Sequence, residues 1–258
     1  MSISKISLKE FQTKYMERFN IFTDFLESHE IRYSLAYGSL LGALREKNII
    51  KWDCDIDLFM FDDEVTNLLS IVNCFPDFFY AKTFKNNEEI YGLTRIYVKD
   101  LFRREQGLTI PRNAYFDIFH VVNIRYDKKV LNFVGSRIKR ETNIYLFKTS
   151  WYSPKSVIKR LIKPFVQFLL PSAKLMIRRC DRYFRKLNIG YDNMITYYYA
   201  GILKPLPVSS GYSKLLFGSK ECCVFENYIE LILATYGSNF MVPQDYGLVT
   251  GVEFYEDK

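Results

Sequence analysis

Three aspartates, Asp53, Asp55 and Asp57, alternate with Cys54 and Ile56 directly after Trp52. In an extended segment alternate side chains project to one face, so these carboxylates are expected to stand together. Like charges held that closely repel each other unless a cation sits among them. Oxygen-only donors favour a hard ion such as Mg²⁺, with Mn²⁺ as the alternative, and Mg²⁺ commonly keeps waters and substrate phosphates in its shell. Upstream, Tyr37-Gly38-Ser39-Leu40-Leu41-Gly42-Ala43-Leu44-Arg45 puts a Gly-Ser turn before a short helix, Leu40 to Glu46. Backbone N–H groups at such a helix start can receive a phosphate. Downstream, Asp117 lies inside the apolar run Tyr115 to Val122. A lone acid in a buried strand is costly unless it is paired or metal-bound, so Asp117 becomes the fourth acid of the same site. The pattern predicts a metal-dependent enzyme acting on a phosphate compound. A solvated acidic loop or a calcium site is the plainer alternative, disfavoured by Trp52, Ile56 and Leu58, which tie the run to a core.

The elements that must position these residues follow from periodicity. Ser7-Leu8-Lys9-Glu10 reads as a capping box. Phe11, Tyr15, Phe19, Phe22 and Leu26 recur at spacings of three and four, predicting an amphipathic helix that ends near Ser28-His29-Glu30. Ile31 to Tyr37, Asp55 to Phe61, Ile90 to Val98 and Tyr115 to Val122 read as strands, and Glu64 to Val72 as a helix capped by Asp62-Asp63. Arg95, on the third of these strands, is a candidate for binding phosphate. His120 and Trp52 read as structural residues. After about Asn123 helical periodicity dominates, with helices expected over Asp192 to Ile202 and over Asn227 to Tyr236, the latter closed by Gly237. Cys222 to Phe225 reads as a short strand. The fold class expected is α/β (α+β): a catalytic core with a mixed sheet over 1–125, and a mainly helical region over 126–258 packed on it as one integrated domain.

Composition bounds the rest. The 258 residues are 48% hydrophobic and 25% charged, ordinary globular values that argue against disorder. The five cysteines are odd in number and lack C-x-x-C spacing, which disfavours a disulfide framework or a zinc site and points to a reducing compartment. No apolar signal core opens the chain and no uncharged run is long enough to span a bilayer. A cytoplasmic location, with peripheral attachment at the inner face of the cell membrane, is the expectation.

The net charge of +7 is concentrated. Between Lys155 and Lys186 ten bases stand against the single acid Asp181, so the segment carries +9 and the remaining chain −2. Apolar residues, among them Phe165, Phe168 and Leu169, interleave with the bases. The segment reads as a site for an anionic membrane surface, ahead of a plain solvated face and well ahead of nucleic acid.

The helix, the strand ending in Gly38-Ser39, and the Asp55-x-Asp57 strand with a later carboxylate resemble the nucleotidyltransferase-like fold. One branch is closer. Gly-Ser-Leu-Leu-Gly-Ala-Leu-Arg followed by Ile49-Ile50-Lys51-Trp52-Asp53-Cys54-Asp55-Ile56-Asp57 resembles the LicD family, whose usual pattern is close to G-[GST]-L-L-G-x-x-R and I-P-W-D-D-D-I-D. Asp117-Ile118-Phe119 is similar to the family's D-I-F segment. Tyr236-Gly237, with Met241 and Pro243, is similar to its C-terminal ending. Lys51, Cys54 and His120 depart from the pattern.

The resemblance implies transfer of a phospho-substituent from a CDP-activated donor to a sugar hydroxyl of a cell-surface glycan, in some cases lipid-linked, with CMP leaving. Phosphocholine from CDP-choline is the leading choice. Ribitol, glycerol and ethanolamine donors, a plain nucleotidyltransferase, and an inactive glycan- or membrane-binding module are the alternatives. On this reading Asp55, Asp57 and Asp117 are catalytic, and Asp53 joins them as a metal ligand. Gly38, Ser39, Arg45 and Arg95 face the donor phosphates. Asp117 is either a ligand or the base that takes the acceptor's proton. A choline headgroup would be held by aromatic faces.

Overall fold

A computed structural model of the chain describes residues 3–83, 92–105, 110–124, 127–149, 157–185, 193–198, 202–208, 211–243 and 251–257. The chain divides into two compact units. Residues 1–82, 94–121 and 206–258 form the first, and residues 83–93 and 122–205 the second.

The first unit begins with β1 (Ile3–Ile6) and α1 (Leu8–Ser28). The capping box is present: Ser7 Oγ accepts the Glu10 N–H and the Glu10 carboxylate accepts the Ser7 N–H. Such a cap contributes about 1 kcal/mol. Then come β2 (Ser34–Leu35), α2 (Tyr37–Arg45), β3 (Ile56–Phe61), α3 (Asp62–Ser70), β4 (Phe79–Thr83), β5 (Leu93–Arg104) and β6 (Arg112–Ile124). The sheet runs β1-β11-β5-β6-β3-β2, with β4 beside β5 and β11 formed by Glu253–Asp257. It is mixed: β3 and β6 are parallel, whereas β2/β3, β1/β11 and β5/β11 are antiparallel.

The apolar stripe of α1 covers this sheet. Phe116 of β6 is the hub, with ring centroids of Tyr15 at 5.0 Å, Phe19 at 5.4 Å, Phe22 at 5.6 Å and Phe79 at 6.2 Å. Each phenylalanine buried there contributes about 2 kcal/mol. The stripe thereby fixes β6, and with it the residue next to Phe116.

In the second unit α4 (Lys128–Thr149), α5 (Val157–Leu169) and α6 (Ala173–Arg185) precede β7 (Asn193–Tyr198) and β8 (Ile202–Leu206), which pair with each other. Val122, Leu131, Val134 and Ile138 pack against Met176, Ile177 and Cys180 of α6. The chain then returns to the first unit with a hairpin, β9 (Tyr212–Phe217) and β10 (Lys220–Phe225), and α7 (Tyr228–Tyr236). Gly237 follows α7 at φ +76°, as a helix-terminating glycine does.

Several expectations need correction. The helix expected over 192–202 is replaced by β7 and the start of β8, residues 192 and 199–201 lying outside the described residues. Met194-Ile195-Thr196-Tyr197-Tyr198 is rich in β-branched and aromatic residues, and that preference wins over a weak helical spacing. The region after 126 therefore holds five strands as well as four helices among its described residues. The strand expected from Asp55 starts at Ile56, the helix expected from Leu40 starts at Tyr37, and α3 is preceded by Phe61 with Asp62 and Asp63 inside its first turn. Residues 90 and 91 of the expected third strand lie outside the described residues.

Candidate active site

Asp57 of β3 and Asp117 of β6 are direct partners in the parallel register. In-register neighbours on parallel strands point to the same face, so one carboxylate stands beside the other. Asp57 is fixed from both sides of its peptide. Its N–H donates to Ser39 Oγ at 2.9 Å and its carbonyl accepts the Ala36 N–H at 2.9 Å. Ser39 is buried at 3% exposure, so its hydroxyl works here as a support for the acid strand. The turn into α2 is strained: Tyr37 adopts φ +41°, a left-handed conformation that costs a non-glycine residue about 1 kcal/mol. Its ring is clamped between Phe59 and Phe119, at centroid distances of 5.0 and 4.9 Å.

Asp53 and Asp55 precede β3 in an irregular segment, so the strand alternation expected for all three acids does not bring them together; a tight loop does. The Asp53 N–H donates to Ile50 O at 2.8 Å, and Asp53 Oδ1 accepts the Cys54 N–H at 2.9 Å. Gln12 of α1 ties this loop down, its Nε2 donating to Ile50 O at 3.0 Å and Asp53 O at 2.7 Å. Gly38 gives the loop room. A Cβ at Gly38 would stand 2.7 Å from Asp53 Oδ2.

The carboxylates act on one another. Burial, then the hydrogen bond and charge of Asp55, push Asp53 up to about 8. Asp57 is raised well above the usual range by burial and by the charges of Asp55, Asp117 and Asp53. Asp117 is raised by burial, opposed by Arg95, whose Nε donates to Asp117 Oδ1 at 2.7 Å. Arg95 therefore stands within the cluster as a carboxylate partner. Burial pushes the Cys54 thiol up to about 12, which leaves it a neutral packing residue.

Arg103 was not among the sequence candidates. It is 8% exposed, its guanidinium lies 4.1 Å from the Tyr115 ring and bonds the Tyr115 hydroxyl, and its charge opposes the upward shift of both Asp57 and Asp117. Arg95 lies 4.3 Å from the same ring. The signal that could have found Arg103 is its place in Leu101-Phe102-Arg103, where a base occupies the inward side of an alternating strand. His120, by contrast, is a structural link. Its Nε2 meets Thr94 Oγ1 at 2.8 Å and its Nδ1 meets Asp62 at 3.1 Å.

Two cavities adjoin at Arg45 and Trp52, and the smaller of them reaches Asp53. A cleft of about 1220 Å³ is bounded by α1, by the 45–52 turn and by Met241 and Pro243. A smaller cavity of about 150 Å³ is lined by Gly38, Trp52, Asp53, Tyr236 and Phe240, among others. Arg45 is paired with Glu46 at 2.7 Å and lies 6.0 Å from the Trp52 ring. The C-terminal Tyr236-to-Pro243 segment thus joins the Gly38 and Asp53 region, although it is remote in sequence.

The donor set is oxygen-only and mutually repelling, which suits a hard divalent cation. Among the described residues no group of three or more His, Cys, Asp or Glu side chains is arranged to hold a metal ion on its own. Mg²⁺ is usually bound through one or two carboxylates completed by waters and substrate phosphates, a demand that a pair such as Asp55 and Asp57 can meet.

Comparison with known proteins adds two findings. A family model described as "LicD/FKTN/FKRP, nucleotidyltransferase domain" matches residues 30–167. The chain is also 21% identical over 253 residues to a protein of Haemophilus influenzae named lipopolysaccharide cholinephosphotransferase LicD, covering 94% of this chain and 95% of that protein.

Proposed function

The chain belongs to the LicD/FKTN/FKRP nucleotidyltransferase-domain family, and from that premise we propose that it transfers phosphocholine from CDP-choline to a sugar hydroxyl of a cell-surface glycan. The observation that carries the reading is the side-by-side pair Asp57 and Asp117, within charge range of Asp53, which lines a small cavity with aromatic walls. The relative's printed name supports phosphocholine as the group and lipopolysaccharide as the acceptor class.

Each residue has a role in this scheme. Asp55 and Asp57 would hold Mg²⁺, which would supply charge to offset that of the donor diphosphate. Asp117, raised by burial, takes the proton of the acceptor hydroxyl. The freed oxygen bonds to the choline-bearing phosphorus, the P–O bond to CMP breaks, and CMP leaves with the electron pair. Arg95 orients Asp117 through the 2.7 Å hydrogen bond. Arg103 moderates the charge of the acids. Asp53 keeps its proton near neutrality and positions Asp55. Gly38 leaves space at the floor of the small cavity. There Trp52, Tyr236 and Phe240 offer faces to a trimethylammonium group, with Asp53 close by. The wide cleft along α1 is the approach for the glycan. The five free cysteines fit a reducing, cytoplasmic setting.

The test is incubation with Mg²⁺, a glycan acceptor and separate CDP-choline, CDP-ethanolamine, CDP-ribitol and CDP-glycerol, reading CMP release and product mass. Phosphocholine on the acceptor is expected. CMP retained on the acceptor would make the protein a nucleotidyltransferase instead, and transfer with another donor alone would reassign the group.

A further inference from the structure

We propose that the α5–α6 turn of the second unit is a lipid-facing tip that docks on an anionic bilayer surface. This holds whichever group the first unit transfers. At the end of α5, Phe165 is 64%, Phe168 84% and Leu169 66% exposed, and Leu175 at the start of α6 is 41% exposed. Folded surfaces rarely leave so many large apolar side chains in water at one place without a partner.

The exposure is built in. Lys148 of α4 donates to the carbonyls of Gln167 at 2.8 Å and Leu170 at 2.9 Å, satisfying the open C-terminus of α5. Gln167 Nε2 returns a hydrogen bond to Phe147 O at 2.8 Å. Ser172 precedes α6, its hydroxyl accepting the Leu175 N–H at 3.3 Å. The polar groups of the turn are thus used internally, and the aromatic side chains are held outward.

The flanks are strongly basic, Asp181 being the one acid of α6. Met176, Ile177 and Cys180 face the α4 core, which leaves Lys174, Arg178 and Arg182 exposed on the other side of α6. Apolar insertion and attraction of bases to anionic lipid are the two contributions that hold interfacial helices on a membrane. The same concentrated positive charge opposes a symmetric contact with a second copy, in which the patch would meet itself. Among the described residues no helix is long and apolar enough to cross a membrane, so the mode is surface docking.

The experiment is vesicle flotation of the full chain with phosphatidylcholine alone and with phosphatidylcholine containing phosphatidylglycerol, at low and high salt. Binding to the anionic vesicles is expected to be about tenfold or more tighter, and to weaken as salt screens the bases. The variant F165S/F168S/L169S is expected to lose about tenfold or more of that binding, and K174E/R178E to lose the lipid selectivity. These side chains are exposed, so melting temperature should stay unchanged, which separates lost docking from lost folding. A single F168W variant should show blue-shifted emission on anionic vesicles. The proposal is overturned by equal flotation of wild type and the serine variant, by no flotation of wild type, or by no shift at Trp. It is also overturned if the serine changes convert a dimer to a monomer while wild type ignores vesicles, or if wild type binds RNA through the patch and not lipid.

Discussion

Asp57 and Asp117 occupy paired positions on adjacent parallel strands, sixty residues apart in the chain. Both are raised above the usual carboxylate range, with burial the larger cause and mutual charge contributing at Asp57. The pair is expected to trade stability for activity. Asp57→Asn should remove at least about 10³ of the transferase rate, since one of the two carboxylates proposed to hold Mg²⁺ is lost. In metal-free protein the same change should stabilise the fold by about 1 kcal/mol, because one buried like charge is gone. CMP release and thermal melting read the two effects. A destabilised Asp57→Asn protein would contradict the electrostatic account.

Asp53 gives the pH dependence its sign. Its folded pKa of about 8 lies above the ordinary 3.8 of an aspartate. Between those values the folded state binds more protons than the unfolded state, so stability falls as pH rises through this window and levels off above about pH 8. Metal-free protein should be less stable at pH 8 than at pH 5 by roughly 1 to 3 kcal/mol. Asp53→Asn should flatten the difference, and Mg²⁺ should reduce it. Calorimetry at graded pH is the check.

Arg95 and Arg103 predict different failures. Arg95→Ala removes the partner that lowers Asp117, so the acidic limb of the kcat/KM profile should move to higher pH. Arg103→Met removes a buried cation from among the acids and should cost about 3 kcal/mol of stability together with activity. Arg103→Lys should fall between, keeping the charge but losing the planar contact with Tyr115.

The two glycines of α2 separate site from scaffold. An alanine at Gly38 would press on the Asp53 carboxylate at 2.7 Å, a side chain that can swing aside, so Gly38→Ala should fold and lose activity by about tenfold or more. At Gly42 the new atom would stand 2.4 Å from the Asn48 carbonyl, which is backbone, so Gly42→Ala should lose about 2 kcal/mol or more of stability. Soluble yield and melting temperature distinguish them from rate loss.

The small cavity predicts donor choice. Tyr236→Ala should raise KM for CDP-choline more than for CDP-ethanolamine, by about three- to tenfold, as expected for one lost aromatic face on a quaternary cation. Equal effects on the two donors would remove Tyr236 from the headgroup site.

Much of this was legible beforehand because it depends on local rules. The capping box, the α1 stripe and the Gly237 stop rest on spacings within one turn of helix. Asp117 could be found because an acid in an apolar strand needs a reason. For Arg103 the local alternation gives the inward side of β5, but its place among the acids depends on which strand lies beside β5, a relationship no local spacing carries. The same holds for Gln12, a surface-type residue whose partners are loop carbonyls nearly forty positions away. The 192–202 segment is the opposite case: its helical spacing is faint, and its β-branched and aromatic residues favour strands.

The strand order of the first unit has a consequence for synthesis. β11, formed after residue 250, lies between β1 and β5, so the sheet is not complete until residues 253–257 have left the ribosome. Asp57 and Asp117 are both encoded before α4, so the β3–β6 pair can form while β11 is still to be made. Until then the 101–104 edge of β5, which β11 later covers, stays open. An open strand edge is a template for pairing with another chain. Hydrogen exchange on chains stalled before residue 250 should show β3 and β6 protected while residues 101–104 still exchange.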